Sequence, residues 1–458
     1  MIKPPLDPNF QPAILWRRAF DQKVADSGSP KPCLIALEQA DGSVFHHETQ
    51  LLPAGHPEED QNFRHVERLV KFLLWSTGCW RVHMKAPIGY AARLDDSFKT
   101  TATGQFDSNL IGQKVYGRPI EVLPTPQLPT EHFAGQPMGR HLEGCRIGFD
   151  LGGSDRKVAA VIDGEVVFSE ETVWDPYHEN DPQYHLSGIL DSLRRAAEHL
   201  PQIDAIGGSA AGVYVNNEVK VASLFRGISE EDFEKNVRYI FSEVGREMGN
   251  VPIVVVNDGE VTALAGSMSL GSNSVLGIAM GTSLASGYVN PNGNITTRLN
   301  ELAFAPVDYR PDAPADEWSG DIGCGVQYFS QQAVGRLLHP AGIKLPDELD
   351  LPEKLLEVQS LMAKEDPRAR SIYETIGTYL GYSLAHYSDF YAVENVLLLG
   401  RVTSGNGGTV ILEKATEVLM SEFPELEEKL NFHIPDEKEK RHGQAIAAAS
   451  LPSLRSQA

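Results

Sequence analysis

Three short polar segments carry residue types that could bind phosphate and move a proton. They are DLGGS (Asp150 to Ser154), NDGE (Asn257 to Glu260) and GTS (Gly281 to Ser283). Glycine has no Cβ atom, so successive backbone N–H groups in such turns can approach anionic oxygens closely and form a concave anion site. The first and third segments therefore indicate phosphate binding.

Asp150 ends a predicted strand directly before Gly152 and Gly153. Mg²⁺ usually takes one or two carboxylates together with water and phosphate oxygens, so we expect Asp150 to hold Mg²⁺ directly or through water. Each loop taken alone has a simpler interpretation, because Gly152-Gly153 and Gly281 could merely make hairpin turns. Two such loops in equivalent places of a repeated unit could clamp a polyphosphate from opposite sides.

The segment NDGE follows an apolar strand, Ile253 to Val256, and precedes a predicted helix. Ligands of open α/β sheets gather at the carboxyl ends of strands, so these polar groups are expected to face a cleft. Asp258 could accept a proton from a hydroxyl group while Asn257 hydrogen-bonds a neighbouring one. The competing interpretation is that one of them caps the helix, as Asn and Asp commonly do. Capping accounts for one residue but not for the pair beside two phosphate loops.

The elements that must position these segments form a pattern that occurs twice. Antiparallel strands are predicted at residues 146–150, 157–162 and 165–171, and again at 275–280, 284–289 and 295 onward. Chance could produce this likeness, but a duplicated unit is the hypothesis that it favours. Helices are predicted near residues 185–200, 230–248, 259–268, 326–337, 368–390 and 410–423. They alternate with short apolar strands, which argues for an α/β fold covered on both faces.

A stretch rich in Pro and Gly, residues 123–140, precedes the repeat and predicts a linker. The expected domains are therefore an N-terminal extension, residues 1–140, followed by two lobes at 141–270 and 271–458. The extension is predicted as α+β.

Within the extension, the patterns predict a hairpin around Asp41-Gly42 and a helix near residues 61–76. No second recognition helix is apparent, so we do not expect a DNA-binding helix-turn-helix. Arg64, Arg68 and Lys71 are interpreted as a solvated face of the helix.

The composition argues against several classes of protein. A formal net charge of -22 and a pI near 5.1 over 458 residues oppose binding to nucleic acid, which normally requires an excess of Lys and Arg. The four cysteines contain no CxxC pair, which favours reduced thiols. No apolar run reaches the roughly 20 residues of a membrane span, and the start does not look like a signal peptide. The expectation is a cytoplasmic protein without membrane partners.

Taken in order, the motifs resemble those of the ROK family, the repressors, open reading frames and sugar kinases of the actin, Hsp70 and hexokinase superfamily. The likeness covers residues 145 to 449 and lies in five segments: DLGGS, VVVNDGE, GTSLASG, VLLLG with SGNGG, and HGQAIAAAS. The resemblance implies a duplicated ribonuclease H-like, actin-like ATPase core of two lobes around a central cleft. ATP and Mg²⁺ would bind between the lobes, with a sugar beside Asp258.

The resemblance also assigns roles to individual residues. Asp258 would act as the general base, and Asn257 and Glu301 would contact the sugar. The residues expected to bind the cofactor are Asp150, Gly152, Gly153, Ser154, Gly281, Thr282, Ser283 and Gly400. A homodimer is carried over from the family in the same way.

Several positions depart from the family pattern. In the segment that resembles the sugar-binding GE-x-GH motif, Glu301 is kept but Phe304 stands where a histidine is usual. Val326 stands where a glutamate is usual. Only Cys324 matches the zinc-binding cysteines, and one thiolate cannot make a four-ligand site, so structural zinc is not expected. Arg401 follows Gly400 where the family has glycine.

These observations support a carbohydrate kinase as the first hypothesis. The second is a binding module that senses a carbohydrate without transferring phosphate, which the losses at Phe304 and Val326 favour. A structural or chaperone ATPase ranks last, since it has no need for an Asn-Asp pair beside a sugar-sized pocket. Because two sugar contacts are missing, the N-terminal extension is conjectured to cover the cleft and supply substrate contacts.

Overall fold

The computed structural model describes residues 1–135, 137–435 and 437–454, with residues 437–442 described by their backbone alone. The elements of the N-terminal region are α1 (Ala13–Asp26), β1 (Lys31–Glu38), β2 (Val44–Leu51), α2 (Gln61–Ser76), β3 (Arg81–Lys85), α3 (Tyr90–Thr100), α4 (Ala102–Asp107), a π-helical segment (Ser108–Val115) and β4 (Glu121–Pro124). Their sheet has the order β2-β1-β3-β4. The predicted linker, residues 123–140, includes Gln136, which lies outside the described residues.

The second group of elements builds a five-stranded sheet. It contains β5 (Cys145–Leu151), β6 (Asp155–Ile162), β7 (Glu165–Val173), α5 (Pro182–Ala197), β8 (Ala205–Ala210), β9 (Val213–Val215), β10 (Glu218–Val221), α6 (Glu230–Asp232), α7 (Ile240–Glu247), β11 (Ile253–Asn257) and α8 (Asp258–Leu270). The strand order is β11-β8-β5-β6-β7, with β9 and β10 as a separate ribbon. Every residue of β5 is buried, as expected for a central strand covered on both faces. We call this the first core sheet.

The third group builds the second core sheet, with the order β13-β12-β14-β15. It contains β12 (Val275–Met280), β13 (Leu284–Val289), α9 (Gln331–Leu337), α10 (Leu351–Ala363), α11 (Pro367–Tyr387), β14 (Asn395–Leu399), α12 (Asn406–Glu422), α13 (Pro424–Glu427), β15 (Asn431–His433) and α14 (Glu437–Ala449). β12 pairs antiparallel with β13 and parallel with β14, just as β5 pairs with β6 and β8. The two core sheets therefore repeat one arrangement.

The repeat stops after the second hairpin, where the predicted third strand is wrong. Ile295 makes only an isolated bridge, to Met138, and no strand follows it before α9. The amide groups of Leu299, Asn300 and Glu301 donate instead to carbonyl groups at the end of α2. Because these carbonyls draw the backbone away from β13, the segment crosses to the N-terminal region.

The N-terminal region and the second core sheet share one apolar core. Phe10, Trp75 and Tyr379 belong to it together with Met280 of β12, whereas the first core sheet packs in a separate cluster around Phe149. The predicted division at residues 140 and 270 stays a prediction. The C-terminal helix α14 follows the second core sheet in the chain but packs against β5 and β8 of the first.

The interpretation of Arg68 and Lys71 as a solvated face is wrong. Lys71 is 4% exposed and bonds to Asp107 at 2.7 Å, and both basic side chains pair with Asp321 at 3.1 Å. Arg64 is partly buried and donates to the carbonyl of Tyr309. Buried charges need such partners, so this face of α2 is an interior contact.

Among the described residues, none of the helices combines the length and apolar character that a membrane crossing requires. The closing-helix motif predicted from His442 coincides with α14, but the side chain of His442 lies outside the described residues.

Candidate active site

Three parallel strands of the first core sheet end side by side and bring the predicted polar residues to one edge. Leu151 of β5 and Asn257 of β11 both lie opposite Ala210 of β8. Neighbouring strands are about 5 Å apart, so Asp150 and Asn257, separated by one strand, lie on the order of 10 Å from each other. The predicted catalytic segment and the predicted magnesium ligand therefore lie at the same edge of the sheet, where these parallel strands end.

Asp150 is held by neighbours from its own sheet. The Ser209 hydroxyl of β8 donates to its Oδ1 at 2.7 Å, and the Lys157 Nζ of β6 lies 3.6 Å from its Oδ2. Lys157 also pairs with Asp155 at 2.9 Å. Burial raises the pKa of Asp150, although Ser209 and Lys157 oppose this shift. The result is a single anchored carboxylate with a cation beside it.

This environment suits a magnesium ion that keeps most of its water. Within residues 1–135, 137–435 and 437–454, no group of three or more His, Cys, Asp or Glu side chains could cage a metal. Mg²⁺ does not need such a cage, because it is commonly bound through one or two carboxylates and substrate phosphates. Asp150 therefore fits the predicted role.

The first glycine loop is a tight turn between β5 and β6. The Gly152 amide donates to the Asp155 carbonyl at 2.9 Å, and the Trp174 indole donates to the Gly152 carbonyl at 2.8 Å. A Cβ atom on Gly153 would collide with the Tyr177 ring. Ser154 donates to the Asp155 carboxylate at 3.0 Å. Glycine at 153 thus lets the Tyr177 ring pack against the loop, and phosphate binding by Gly152, Gly153 and Ser154 stays a prediction.

Asn257 caps α8. Its Oδ1 accepts from the Gly259 amide at 2.7 Å, and its Nδ2 donates to the Gly212 carbonyl at 2.7 Å. The capping interpretation therefore holds for Asn257, and one N–H and one lone pair of its amide remain for a ligand. Its predicted contact with a sugar stays a prediction.

Asp258 begins α8 at the junction of the two core sheets. α8 packs on β13, and a Cβ atom on Gly259 would lie 2.6 Å from the Ser286 carbonyl oxygen of that strand. Burial and the charge of Asp150 raise the pKa of Asp258 to about 6. Charge effects of this kind fall off with distance, so the two carboxylates lie near each other.

Glu301 is electrostatically coupled to Asp258. Burial and the charge of Asp258 raise the pKa of Glu301 to about 7. Neither Asp258 nor Glu301 has an ion-pair partner among the described side chains. Two buried carboxylates that lack ion-pair partners among the described side chains are therefore coupled electrostatically to each other, and Asp258 is coupled to the anchored Asp150 as well.

The second glycine loop joins β12 and β13. The Gly281 amide donates to the Ser283 carbonyl at 2.9 Å, and Thr282 and Ser283 are exposed. Gly400 has a φ of 93° at the end of β14, where a Cβ atom would collide with the Met280 backbone. The structure thus brings Gly400 next to the Gly281 loop, and nucleotide binding by Gly281, Thr282, Ser283 and Gly400 stays a prediction.

Comparison with known proteins places this geometry in a fold group. No protein-family model and no curated protein sequence matches the chain. The ROK hexokinase from Thermus thermophilus superimposes with a TM-score of 0.51 and 18% identity, over 66% of this chain and 97% of that one. A ROK family transcriptional regulator, described as a homolog of the E. coli MLC protein, gives a TM-score of 0.51 and 16% identity, over 84% and 96%.

The chain has the ROK fold. The predicted duplicated α/β core of the actin-like ATPase type is thereby confirmed. At these identities the similarity concerns the fold alone, and it is shared by a kinase and a regulator.

Two positions that depart from the ROK pattern are filled by apolar packing. Phe304 packs against Trp75 and Phe106, with ring centroids 4.4 and 5.6 Å apart. Val326 is 3% exposed, and its amide donates to the Ala303 carbonyl at 2.9 Å. Phe304 therefore joins the ROK core to the N-terminal region, and neither side chain offers a polar group to a ligand.

Sequence analysis missed three polar residues of the site. Lys157 lies opposite Asp150 in the antiparallel register of β5 and β6, so the predicted hairpin could have revealed it. Glu260 is 6% exposed, accepts from Asn300 and the Tyr288 amide, and has its pKa raised by burial to about 8. The pairing of Glu260 with Asn300 could not be recognised from the local sequence, because the two residues are 40 positions apart and come together only in the folded chain.

Proposed function

We propose that this protein transfers the terminal phosphoryl group of ATP to a hydroxyl group of a sugar or sugar derivative. The observation that carries the proposal is the coupling of three carboxylates: burial and the charge of anchored Asp150 raise the pKa of Asp258, and burial and the charge of Asp258 raise the pKa of Glu301. Phosphoryl transfer depends mainly on positioning and charge neutralisation, which such a site can provide. The ROK fold supports the same class of reaction.

Asp258 is assigned as the general base. With its pKa raised to about 6, most of the Asp258 population is ionised near pH 7.5 and still basic enough to accept a proton. In this step Asp258 takes the proton of the attacking hydroxyl, whose oxygen forms a bond to the terminal phosphorus while the bond to the ADP oxygen breaks. ADP leaves with the electron pair of that bond.

Asp150 and Lys157 serve the phosphate side of the reaction. Asp150 would hold Mg²⁺, which neutralises charge on the phosphate oxygens when bound. The Lys157 ammonium, 3.6 Å from Asp150, opposes the rise that burial causes in the pKa of that carboxyl group and adds positive charge where β5 ends. Amide groups of the two glycine loops are assigned to the phosphates, and Gly400 to the adenosine side.

Glu301 is assigned to the sugar. Its carboxylate has no ion-pair partner among the described residues, so its oxygens are free to accept hydrogen bonds from hydroxyl groups. Charge-assisted bonds of this type are the stronger ones and fix orientation. Glu301 thus complements Asp258, which receives the reacting hydroxyl.

A carbohydrate sensor without catalysis is the second candidate function. It is favoured by the apolar side chains at Phe304 and Val326, which leave fewer polar groups to hold a sugar in a reactive pose. The intact set of Asp150, Asp258 and Glu301 favours the enzyme, because a sensor has no need for a base.

Turnover measurements separate the two functions. The full chain is assayed for ADP release with ATP, Mg²⁺ and D-glucose, D-mannose, D-fructose, D-glucosamine or N-acetyl-D-mannosamine. Replacing the proposed base, Asp258→Asn, is expected to lower kcat by about 100-fold or more while ATP affinity stays within about twofold. The matched control, Asp312→Asn, changes an exposed aspartate and should retain activity.

Full activity of Asp258→Asn would show that Asp258 is not the general base. Saturable binding of a panel sugar without turnover by the wild type would instead support the sensor.

A further inference from the structure

The loop that carries Glu301 is bound to the end of α2, a helix of the N-terminal region. Three successive amides of the loop donate to three successive carbonyls: Leu299 to Thr77 at 3.1 Å, Asn300 to Ser76 at 3.0 Å, and Glu301 to Trp75 at 2.9 Å. The last four carbonyls of any helix lack partners inside the helix. Here the substrate loop supplies those partners, so one set of bonds caps α2 and fixes the backbone of Glu301.

The opposite side of the loop is fixed by the second core sheet. The Ser286 hydroxyl of β13 donates to the Asn300 carbonyl, and the Leu302 amide donates to the Ser286 hydroxyl at 3.4 Å. Asn300 has a φ of 52°, and its side chain donates to Glu260 and accepts from the Tyr391 hydroxyl at 2.9 Å. The residue before Glu301 therefore has one fixed conformation.

Gln39 of the N-terminal region joins the two partners. Its amide nitrogen lies 2.8, 3.3 and 3.0 Å from the carbonyls of Thr77, Gly78 and Thr297, and its oxygen accepts from the Thr297 hydroxyl at 2.7 Å. The side chain is only 2% exposed. Because the Gln39 side chain is buried, removing its amide would take a donor away from these three carbonyls without water to replace it.

α2 itself is held by bonds to buried residues of two other segments. Lys71 and the Trp75 indole donate to Asp107 at 2.7 and 3.1 Å, and Lys71 also pairs with Asp321. The π-helical segment that follows Asp107 contacts β9 and β10, the separate ribbon of the second group of elements. The N-terminal region thus contacts both halves of the core while it supports the Glu301 loop.

We infer that the end of α2 is the positioning element for Glu301, so that the N-terminal region forms part of the sugar site. In this arrangement Gln39 and Trp75 are positioning residues, which act through the loop backbone and do not touch the sugar. The inference rests on the proposed function for the identity of the ligand and on the hydrogen bonds above for everything else. The Thermus hexokinase aligns with 66% of this chain, so about a third of this chain lies outside that alignment.

The test removes the Gln39 amide in the full chain. Gln39→Leu keeps the size of the side chain and abolishes its hydrogen bonds, and Val66→Ala, at a buried apolar position of α2, is the control for lost stability. Both variants should lower Tm. Only Gln39→Leu should raise the KM for the most rapidly converted sugar of the panel, by about 10-fold, with the KM for ATP within about twofold.

Hydrogen exchange provides a readout that does not depend on the kinase reaction. Peptides covering residues 297–302 should exchange faster in Gln39→Leu than in the wild type or Val66→Ala, because the loop amides lose their fixed carbonyl partners. Unchanged exchange in this segment, or a rise in sugar KM equal to that of Val66→Ala, overturns the inference. If no panel sugar is converted, the proposed function fails on its own, and exchange alone then decides whether α2 positions the loop.

Discussion

The two core sheets start with the same three strands, an antiparallel hairpin beside a parallel neighbour, and then differ in what completes their ligand groups. In the first core sheet, Ser209 and Lys157 support Asp150 from adjacent strands of that sheet. In the second, the segment that follows the hairpin leaves the sheet, and Glu301 is supported by the end of α2. Asp150 is thus supported within its own sheet, whereas the Glu301 loop depends on the N-terminal region.

This difference separates the two ligands of the proposed reaction. On the proposed phosphate side Asp150 is anchored by polar neighbours, whereas on the proposed sugar side Phe304 and Val326 are apolar and Phe304 packs against Trp75. We therefore expect variants of the first core sheet to affect catalysis, and variants of the Glu301 loop to affect sugar affinity.

The largest effect is expected for Asp150→Asn. Loss of this carboxylate should lower kcat by about 100- to 1000-fold at saturating ATP and sugar, because charge neutralisation at the phosphates is lost. Because the charge of Asp150 raises the pKa of Asp258, the acid limb of the residual activity should move below pH 6. Ser209→Ala removes only the 2.7 Å hydrogen bond and should cost about 10-fold or less.

Steady-state kinetics over pH 5 to 9 measures both kcat and the pH at which the acid limb falls. An Asp150→Asn variant with the wild-type kcat would contradict the division of roles between the sheets.

A smaller and different effect is expected for Glu301→Gln. The amide keeps the shape of the side chain but loses the charge that strengthens hydrogen bonds to hydroxyl groups, so the KM for the sugar should rise about 10- to 100-fold. The KM for ATP should stay within about twofold. Initial rates with each substrate varied in turn check this, and equal changes in both KM values would mean that Glu301 does not belong to the sugar side alone.

The strand ends of the site could be predicted because their signals are local. An apolar run directly precedes Asp150 and another precedes Asn257-Asp258; a turn of small residues follows the first, and a helix follows the second. Such runs mark buried strands, and the carboxyl ends of parallel strands meet at one edge. For the same reason the hairpins of both core sheets lie where the sequence predicts them.

The N-terminal support could not be predicted in this way, because its partners are far apart in the chain. Arg68 and Lys71 look like surface charges until Asp321, some 250 positions later, neutralises them. The segment after Ile295 has residues that are typical of a strand, but its amide groups donate to the carbonyls at the end of α2 instead of to a neighbouring strand. Tertiary contacts of this kind override local preference and leave no periodic signal.

The smallest effect is expected in the free energy of unfolding and arises from the ionisation of Glu260. This residue of α8 accepts a hydrogen bond from the Asn300 side chain, directly before Glu301. Burial raises the pKa of Glu260 to about 8 in the folded protein, above the value near 4.3 expected for an unfolded chain. Between these values the folded state holds the extra proton, so stability falls as pH rises. The loss attributable to Glu260 between pH 7 and 9 is about 1 kcal/mol.

Denaturant titrations at pH 7 and pH 9 measure this loss in the free energy of unfolding. Glu260→Gln cannot ionise and should remove about 1 kcal/mol of the wild-type decrease, whereas Glu357→Gln, an exposed position on α10, should leave it unchanged. Because Asp258 and Glu301 also have raised pKa values, part of the decrease should remain in Glu260→Gln. If the wild type and Glu260→Gln lose the same free energy of unfolding between pH 7 and pH 9, Glu260 is already ionised below pH 7. The pKa of Glu260 would then be close to that of the solvated carboxyl groups elsewhere in the chain.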